Sequence, residues 1–359
     1  MNLEILGFDK YFSDNLVEEK LEYSSPARVV TMSREQYTIS FGQGDTQAEI
    51  TGKLRFSATS PEDLPTVGDW VYAQKFDQGD FAVIHDIIPR RNYLSRKMAG
   101  KKVDHQIIGA NIDTAFLVQS LDHDYNLRRL ERYLVAILDA RIEPVVLLSK
   151  EDLLTDGELE EKQEEIRSMI PKIDIVSFSS LDNDSVERVR KKMLPGKTYC
   201  LLGSSGVGKT TLLNRLTGED SFRTHEVRKN DSRGRHTTTR RQLIILPDGP
   251  ILMDNPGMRE FANIGVSDGI GKTFEDISQM AELCLFRDCT HTGEKGCAIL
   301  SALGSGEISR ERYENFMKIK RESAFHEMTY LEKRRRDKEF GKMCREVMKH
   351  KNDKRRERA

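Results

Sequence analysis

Residues 203–210 read Gly-Ser-Ser-Gly-Val-Gly-Lys-Thr, between the apolar run "TYCLLG" and the amphipathic stretch "KTTLLNRLTG". The spacing is G-x-x-x-x-G-K-[ST], and a buried strand before it with a helix after it is the context that the pattern requires. At such a corner the backbone N–H groups of Gly203, Ser204, Ser205, Gly206, Val207 and Gly208 converge on phosphate oxygens. The N-terminus of the following helix adds its positive end, with Thr210 and Thr211 in the first turn. Lys209 is placed to reach the β and γ phosphates, and the Thr210 hydroxyl to ligate Mg²⁺. A chain with this element is expected to build an α/β sheet around it.

The neighbouring pattern agrees. "DTAFLVQSL", "EPVVLLS", "DIVSFSS", "RQLIILP" and "PILMDNP" are continuous apolar runs. Helical stretches such as "NLRRLERYLVAILDA" and "ELEEKQEEIRSMI" separate the first of them. Strands with helical crossovers predict a parallel sheet covered on both faces, over residues 109–265.

A phosphate cradle does not choose its base. "LLSKEDLL" ends a buried strand, and Ser149, Lys150, Glu151 and Asp152 there are a candidate base reader of the [NT]-K-x-D kind. The lysine stem covers a purine ring, and the aspartate accepts from both N1–H and N2–H₂ of guanine, a donor pair that adenine lacks. Asp152 thus argues against an ATP-using enzyme. Serine stands where asparagine is usual, and its hydroxyl offers fewer bonds to base and cradle. Ser179 and Ser180, one strand later, suit the segment closing over guanine O6.

Downstream of the cradle, "GRHTTTR" (234–240) is the first switch candidate, with Thr238 chosen as the Mg²⁺ ligand that depends on the γ-phosphate. "MDNPG" is the second: Asp254 would hold Mg²⁺ through water, and the Gly257 N–H would meet the γ-phosphate. The base reader and closing loop therefore precede the cradle, the reverse of the usual order. Circular permutation keeps every spatial neighbour and leads the second switch directly into the C-terminal part, a plausible mechanical link.

That C-terminal part holds Cys284, Cys289, His291 and Cys297, three of the five cysteines in the chain. A Cys₃His set takes Zn²⁺ tetrahedrally and leaves no open position, so one structural zinc is expected. Residues 266–330 form the helical zinc-binding part. Over 331–359 thirteen Lys/Arg face six Asp/Glu, a basic tail beneath a formal net charge of only −1. It reads either as a solvated segment or as a nucleic-acid phosphate contact.

Ahead of the sheet, residues 1–25 form an extension with helical character. Residues 26–90 carry five short strand patterns: "ARVVTMS", "QYTISFG", "AEITGKLRF", "GDWVYAQKF" and "DFAVIHDII". A five-stranded barrel follows, of OB-fold type or the SH3-like type that leaves a similar trace. Tyr37, Phe41, Phe56, Trp70, Tyr72 and Phe76 are expected mostly in its core. Residues 91–108 read as a basic linker, and the stretch "PRRNYLSRKMAGKK" leading into it carries Arg90, Arg91, Arg96, Lys97, Lys101 and Lys102, either solvated or in contact with phosphate. No signal peptide or membrane-length apolar run is present, and a cytoplasmic protein is expected.

"SKED", "GSSGVGKT", "GRHTTT" and "DNPG" in that order, with "VGDWV" before them and the cysteine cluster after, resemble the small ribosomal subunit biogenesis GTPase (RsgA) family. Asn255 departs from the threonine usual there. The resemblance implies an OB-fold, binding to the small (30S) ribosomal subunit and its 16S rRNA in late assembly, GTP and GDP as ligands, and subunit-stimulated hydrolysis. A GTP-gated RNA-binding placeholder is the alternative. No membrane partner is implied, and a monomer is expected. The position after D-x-x-G, where a water-orienting glutamine often stands, is Met258, which cannot serve. His236 is the catalytic candidate, and the resemblance points to the same residue.

Overall fold

The computed structural model describes residues 3–33, 36–76, 80–97, 105–218, 241–254 and 267–327. Five strands, β1 (Ser25–Ser33), β2 (Gln36–Ser40), β3 (Asp45–Ile50), β4 (Trp70–Phe76) and β5 (Phe81–Ile87), run in the order β1-β2-β3-β5-β4. The β1–β4 pairing closes the barrel, and β3 and β5 pair in parallel. This is the OB arrangement, and closure removes the open edges. Alternate residues fill it, among them Val29, Ile39, Phe41, Val71 and Ile84.

The expected strand "AEITGKLRF" is divided. Its first part lies in β3, while helix α3 (Gly52–Ser57) takes the rest, because Thr51 Oγ1 accepts from the Leu54 N–H and starts a helical turn. Phe56 consequently leaves the core and is 94% exposed, and Phe76 is partly exposed, whereas Tyr37, Phe41, Trp70 and Tyr72 are buried. The N-terminal extension holds two short helices, α1 (Lys10–Asp14) and α2 (Glu18–Leu21). Phe12 of α1 packs on Trp70 and Tyr72.

The stretch read as a linker contains a hairpin of β6 (Tyr93–Lys97) and β7 (His105–Ala110). Two of its arginines are engaged. Arg90 grips the buried Asp69 carboxylate with two bonds of 2.7 Å, and Arg91 pairs with Asp9 and, at 3.1 Å, with Asp113. These contacts give both guanidinia a structural role. Lys101 and Lys102 lie outside the described residues.

The second unit contains β8 (Thr114–Ser120), α4 (Leu127–Asp139), β9 (Glu143–Ser149), α5 (Asp156–Met169), β10 (Asp174–Phe178), α6 (Asn183–Arg190), β11 (Thr198–Leu202), α7 (Lys209–Thr217), β12 (Arg241–Ile245) and β13 (Ile251–Asp254). Strand order is β10-β9-β8-β11-β13-β12, parallel except that β12 runs antiparallel to β13. Successive strand residues face opposite sides. Leu117, Leu148 and Leu202 pack with Leu134 of α4 and Ile166 of α5, while Val118, Leu147 and Leu201 pack with Val189 of α6 and Leu213 of α7. Both faces are therefore covered.

β12 also pairs with β1, through Thr31↔Gln242 and Met32↔Arg241, so barrel and sheet form one eleven-stranded surface. Buried Arg28 reinforces the seam by donating to Thr198 Oγ1 at 2.7 Å. The C-terminal part comprises α8 (Ser267–Thr273), α9 (Glu275–Ala281), α10 (Ala298–Ser305) and α11 (Arg310–Glu327), with its own core around Phe274, Ile277, Ile299 and Phe316. Among the described residues no helix is long and apolar enough to cross a membrane.

Candidate nucleotide site and metal centre

The cradle lies between the carboxyl end of β11 and the start of α7. Gly203 has φ +150°, and a Cβ there would come within 2.4 Å of the Val118 carbonyl oxygen, so only glycine passes this close to β8. Gly208 caps α7 at φ +91°, beside Ser180 Oγ. Ser204, Ser205, Gly206 and Thr210 reach the surface to differing extents, whereas Val207 is buried in the core and anchors the loop. Thr211 lies one residue further along α7. The Lys209 ammonium donates to the Gly203 carbonyl at 2.7 Å and to that of Ser204, folded back over the loop it would share with phosphates.

The base reader ends β9, two strands from β11. Ser149 is buried, and its Oγ donates to the Val207 carbonyl at 2.7 Å. The hydroxyl thus keeps a direct tie between reader and cradle despite the smaller side chain. Lys150 has φ +64° and pairs with Asp122 at 2.6 Å. Glu151 is drawn to Arg188 of α6 and so tethers this corner. The Asp152 carboxylate is exposed beside it. Ser179 is buried; its N–H donates to Ser185 Oγ, whose hydroxyl donates back to the Ser179 carbonyl at 2.7 Å, and Ser180 follows at the rim.

β13 lies beside β11 and ends at Asp254, on the same side of the sheet as the cradle. Burial pushes the Asp254 carboxyl above the usual range. Thr238, Gly257 and His236 lie outside the described residues, as do Asn255, Met258 and the tail 331–359.

The sequence reading passed over the loop after β8, where two acids meet both halves of the site. Asp122 holds Lys150, and Asp124 accepts from Ser204 Oγ at 2.5 Å while pairing with Arg129 of α4 at 2.8 Å. Burial alone would raise the Asp122 carboxyl. The Lys150 ammonium, the Asp124 N–H and the Ser120 hydroxyl instead hold it well below the usual carboxylate range. "DHD" at the carboxyl end of a strand neighbouring the cradle was the available signal.

In the C-terminal part the ligand atoms of Cys284, Cys289, His291 and Cys297 all lie within 4.8 Å of one another. The Cys284 and Cys297 sulfurs are 4.0 Å apart, and His291 Nδ1 is 3.7 and 3.6 Å from them. Metal–sulfur bonds of about 2.3 Å and metal–nitrogen bonds of about 2.0 Å give tetrahedral edges of roughly 3.5–3.8 Å. The cluster therefore fits one small tetrahedral ion. His291 adopts φ +63°, and its carbonyl accepts from the Tyr313 hydroxyl at 2.6 Å, which fixes the turn. Burial would raise the Cys284 thiol, but N–H groups of Ala298 and Ile299 at the start of α10 lower it, favouring the thiolate.

A phosphate cradle and a guanine reader tied together on one sheet, with the reader earlier in the chain, define a circularly permuted P-loop GTPase. Residues 87–263 match the RsgA GTPase family. A small ribosomal subunit biogenesis GTPase RsgA 2 of Vibrio parahaemolyticus is 37% identical over 346 residues, covering 96% of this chain and 92% of its own. The crystal structure of YjeQ from Thermotoga maritima, 26% identical, superposes with a TM-score of 0.62 over 83% of this chain and 98% of that one. That of YloQ, described as a circularly permuted GTPase, is 23% identical and shares the fold with a TM-score of 0.59 over 86% and 98%. The chain belongs to the RsgA family of GTPases.

Proposed function

We propose that this chain is a Mg²⁺-dependent GTPase that binds the small (30S) ribosomal subunit through 16S rRNA late in assembly and leaves after hydrolysis. It acts in the cytoplasm as a monomer. The observation that carries this reading is similarity along nearly the whole length to proteins named small ribosomal subunit biogenesis GTPases. Residues 1–25 would serve as an extension, 26–90 as an RNA-facing barrel, 91–108 as the connection, 109–265 as the GTPase unit, 266–330 as the zinc-binding part and 331–359 as a basic arm.

In this reading the Asp152 carboxylate selects guanine, the Lys150 stem covers the ring, and Ser179 and Ser180 close over O6. The cradle amides and Lys209 hold the phosphates, and the Gly257 N–H senses the last of them. Mg²⁺ would be held by Thr210, Thr238 and, through water, Asp254, and supplies charge neutralisation between the β and γ phosphates. His236 orients the attacking water, since Met258 cannot. Zinc is the ion that three thiolates and one imidazole suit, and four protein ligands make its role structural.

Single-turnover GTP hydrolysis with and without purified 30S subunits tests the proposal. We expect slow turnover alone, stimulation of at least tenfold (on the order of 1.4 kcal/mol off the barrier) on the subunit, and loss of that stimulation in His236→Ala. Absence of stimulation in the unaltered protein would favour a placeholder whose hydrolysis is incidental. An unchanged stimulated rate in His236→Ala would remove the histidine from the mechanism.

A further inference from the structure

Asp122 is oriented from two directions. Its Oδ1 accepts from the Ser120 hydroxyl at 2.7 Å and from the Asp124 N–H at 2.9 Å, both within its own loop. Its Oδ2 is left facing the Lys150 ammonium at 2.6 Å. The Asp122 side chain is 14% exposed and that of Lys150 35%, so the contact is partly shielded from bulk water, with only the exposed His123 ring, Nδ1 at 3.9 Å, otherwise near Oδ2 among the described ion pairs. Ser120 and Ser149 are register partners on adjacent parallel strands, which places Asp122 and Lys150 at neighbouring carboxyl ends. Ligands of open α/β sheets bind at such ends.

Lysine is a long chain with many rotamers, and its left-handed backbone alone does not fix where the stem lies. Anchoring the ammonium at Asp122 stretches the stem from the end of β9 to the loop after β8. We propose that Asp122 is a positioning residue for base recognition, laying the Lys150 stem along one wall of the base pocket before nucleotide arrives. The inference rests on the guanine reading of this site. Its consequence is that ordering the stem is no longer a cost of binding.

Asp122→Asn separates this role from loop structure. The amide oxygen still accepts from Ser120 and Asp124, while the nitrogen now facing Lys150 cannot hold an ammonium. The dissociation constant for GDP is to be measured for the unaltered protein, Asp122→Asn, Lys150→Ala and the double variant, with thermal unfolding recorded for each.

Asp122→Asn is expected to weaken GDP by about three- to tenfold, the cost of ordering one long side chain. In the Lys150→Ala background the same substitution is expected to change affinity by less than about twofold. Losses that multiply in the double variant would show that Asp122 acts independently of Lys150 and overturn the proposal. GDP binding that is unchanged or tighter in Asp122→Asn would overturn it equally. If ADP competes as well as GDP on the unaltered protein, the guanine reading itself fails, an outcome distinct from either. Should Asp122→Asn melt early, Lys150→Met supplies the falsifier. It keeps the stem's bulk without the ammonium, and affinity equal to that of the unaltered protein would show that the anchor is idle.

Discussion

At the scale of single residues, the site depends on groups that are small because something passes close to them. Ser149 illustrates the point: a longer side chain is usual, yet its hydroxyl reaches the Val207 carbonyl in a buried position. Ser149→Ala leaves that carbonyl without its side-chain donor, which costs about 1–3 kcal/mol at a buried site. The cradle then loses its tie to the reader, and GDP affinity should fall by roughly five- to tenfold. Calorimetry of Ser149→Ala checks this, and affinity within about twofold of the unaltered protein would leave the tie without a role. The tie itself was not legible in the sequence, because a serine's partner depends on which loop folds against it. Motif residues can be proposed from sequence, since a phosphate and a purine edge demand particular groups at fixed spacing. Asp122 and Asp124 were signalled only by their place at the carboxyl end of a strand, since an acid in a loop has no spacing rule that names its partner.

Among elements, α4 does two kinds of work. Leu130, Leu134 and Ile137 cover the sheet, while Glu131 and Arg132 face the C-terminal part. Glu131 is 3% exposed and accepts from Arg312 and Asn315 of α11, and Arg132 donates to Glu322 with bonds of 2.8 and 3.1 Å. Gly269 of α8 approaches the same helix so closely that a Cβ would sit 1.9 Å from the Val135 carbonyl oxygen. Arg312→Ala would strand the Glu131 carboxylate, a loss of about 3–5 kcal/mol when one partner of a buried pair is removed.

Burial pushes the Glu131 carboxyl above its ordinary value, against the pull of Arg312 and Asn315. Without Arg312 the shift grows. A raised carboxyl favours the fold while protonated and loses that contribution as pH rises through the folded-state value. The Arg312→Ala defect, measured by urea unfolding against the unaltered protein, should therefore be largest near neutrality and shrink as pH falls toward the ordinary glutamate range. Adding Glu131→Gln should recover part of it at pH 7. A defect independent of pH and untouched by Glu131→Gln would place the cost elsewhere.

Element types were legible where period and length agreed, as in the six apolar runs now seen as β8, β9, β10, β11, β12 and β13. They were misread where a local cap overrode the pattern, as at Thr51, and charge open to phosphate contact proved to be engaged within the fold at Arg90 and Arg91. Ion partners such as Asp69 and Asp9 lie about 20 and 80 residues away in sequence, beyond any local window.

For the whole molecule, the continuous sheet and the separate C-terminal core make opposite demands on cooperativity. Barrel and GTPase unit share strands through β1 and β12 and the buried Arg28, so unfolding one exposes ladder groups of the other. The C-terminal helices instead have a core of their own, closed by four ligand side chains and joined to the sheet mainly through α4. A small core of this kind would lean on a metal held by that cluster, whose binding free energy would be folding free energy. Calorimetric unfolding in excess GDP should accordingly show one transition for barrel plus GTPase unit, raised by about 2.7 kcal/mol at a hundredfold excess over Kd. A chelator, or Cys297→Ser, should remove or sharply lower a second transition and shift the GDP-dependent one by only a few degrees, through the loss of cover on α4. Metal analysis of the same samples should give one zinc per chain, absent in Cys297→Ser. If chelation instead abolished the GDP-dependent transition, the C-terminal part would be integral to the nucleotide unit rather than attached to it. If the barrel melted apart from the GTPase unit, the β1–β12 seam would not be the cooperative link that its shared strands imply.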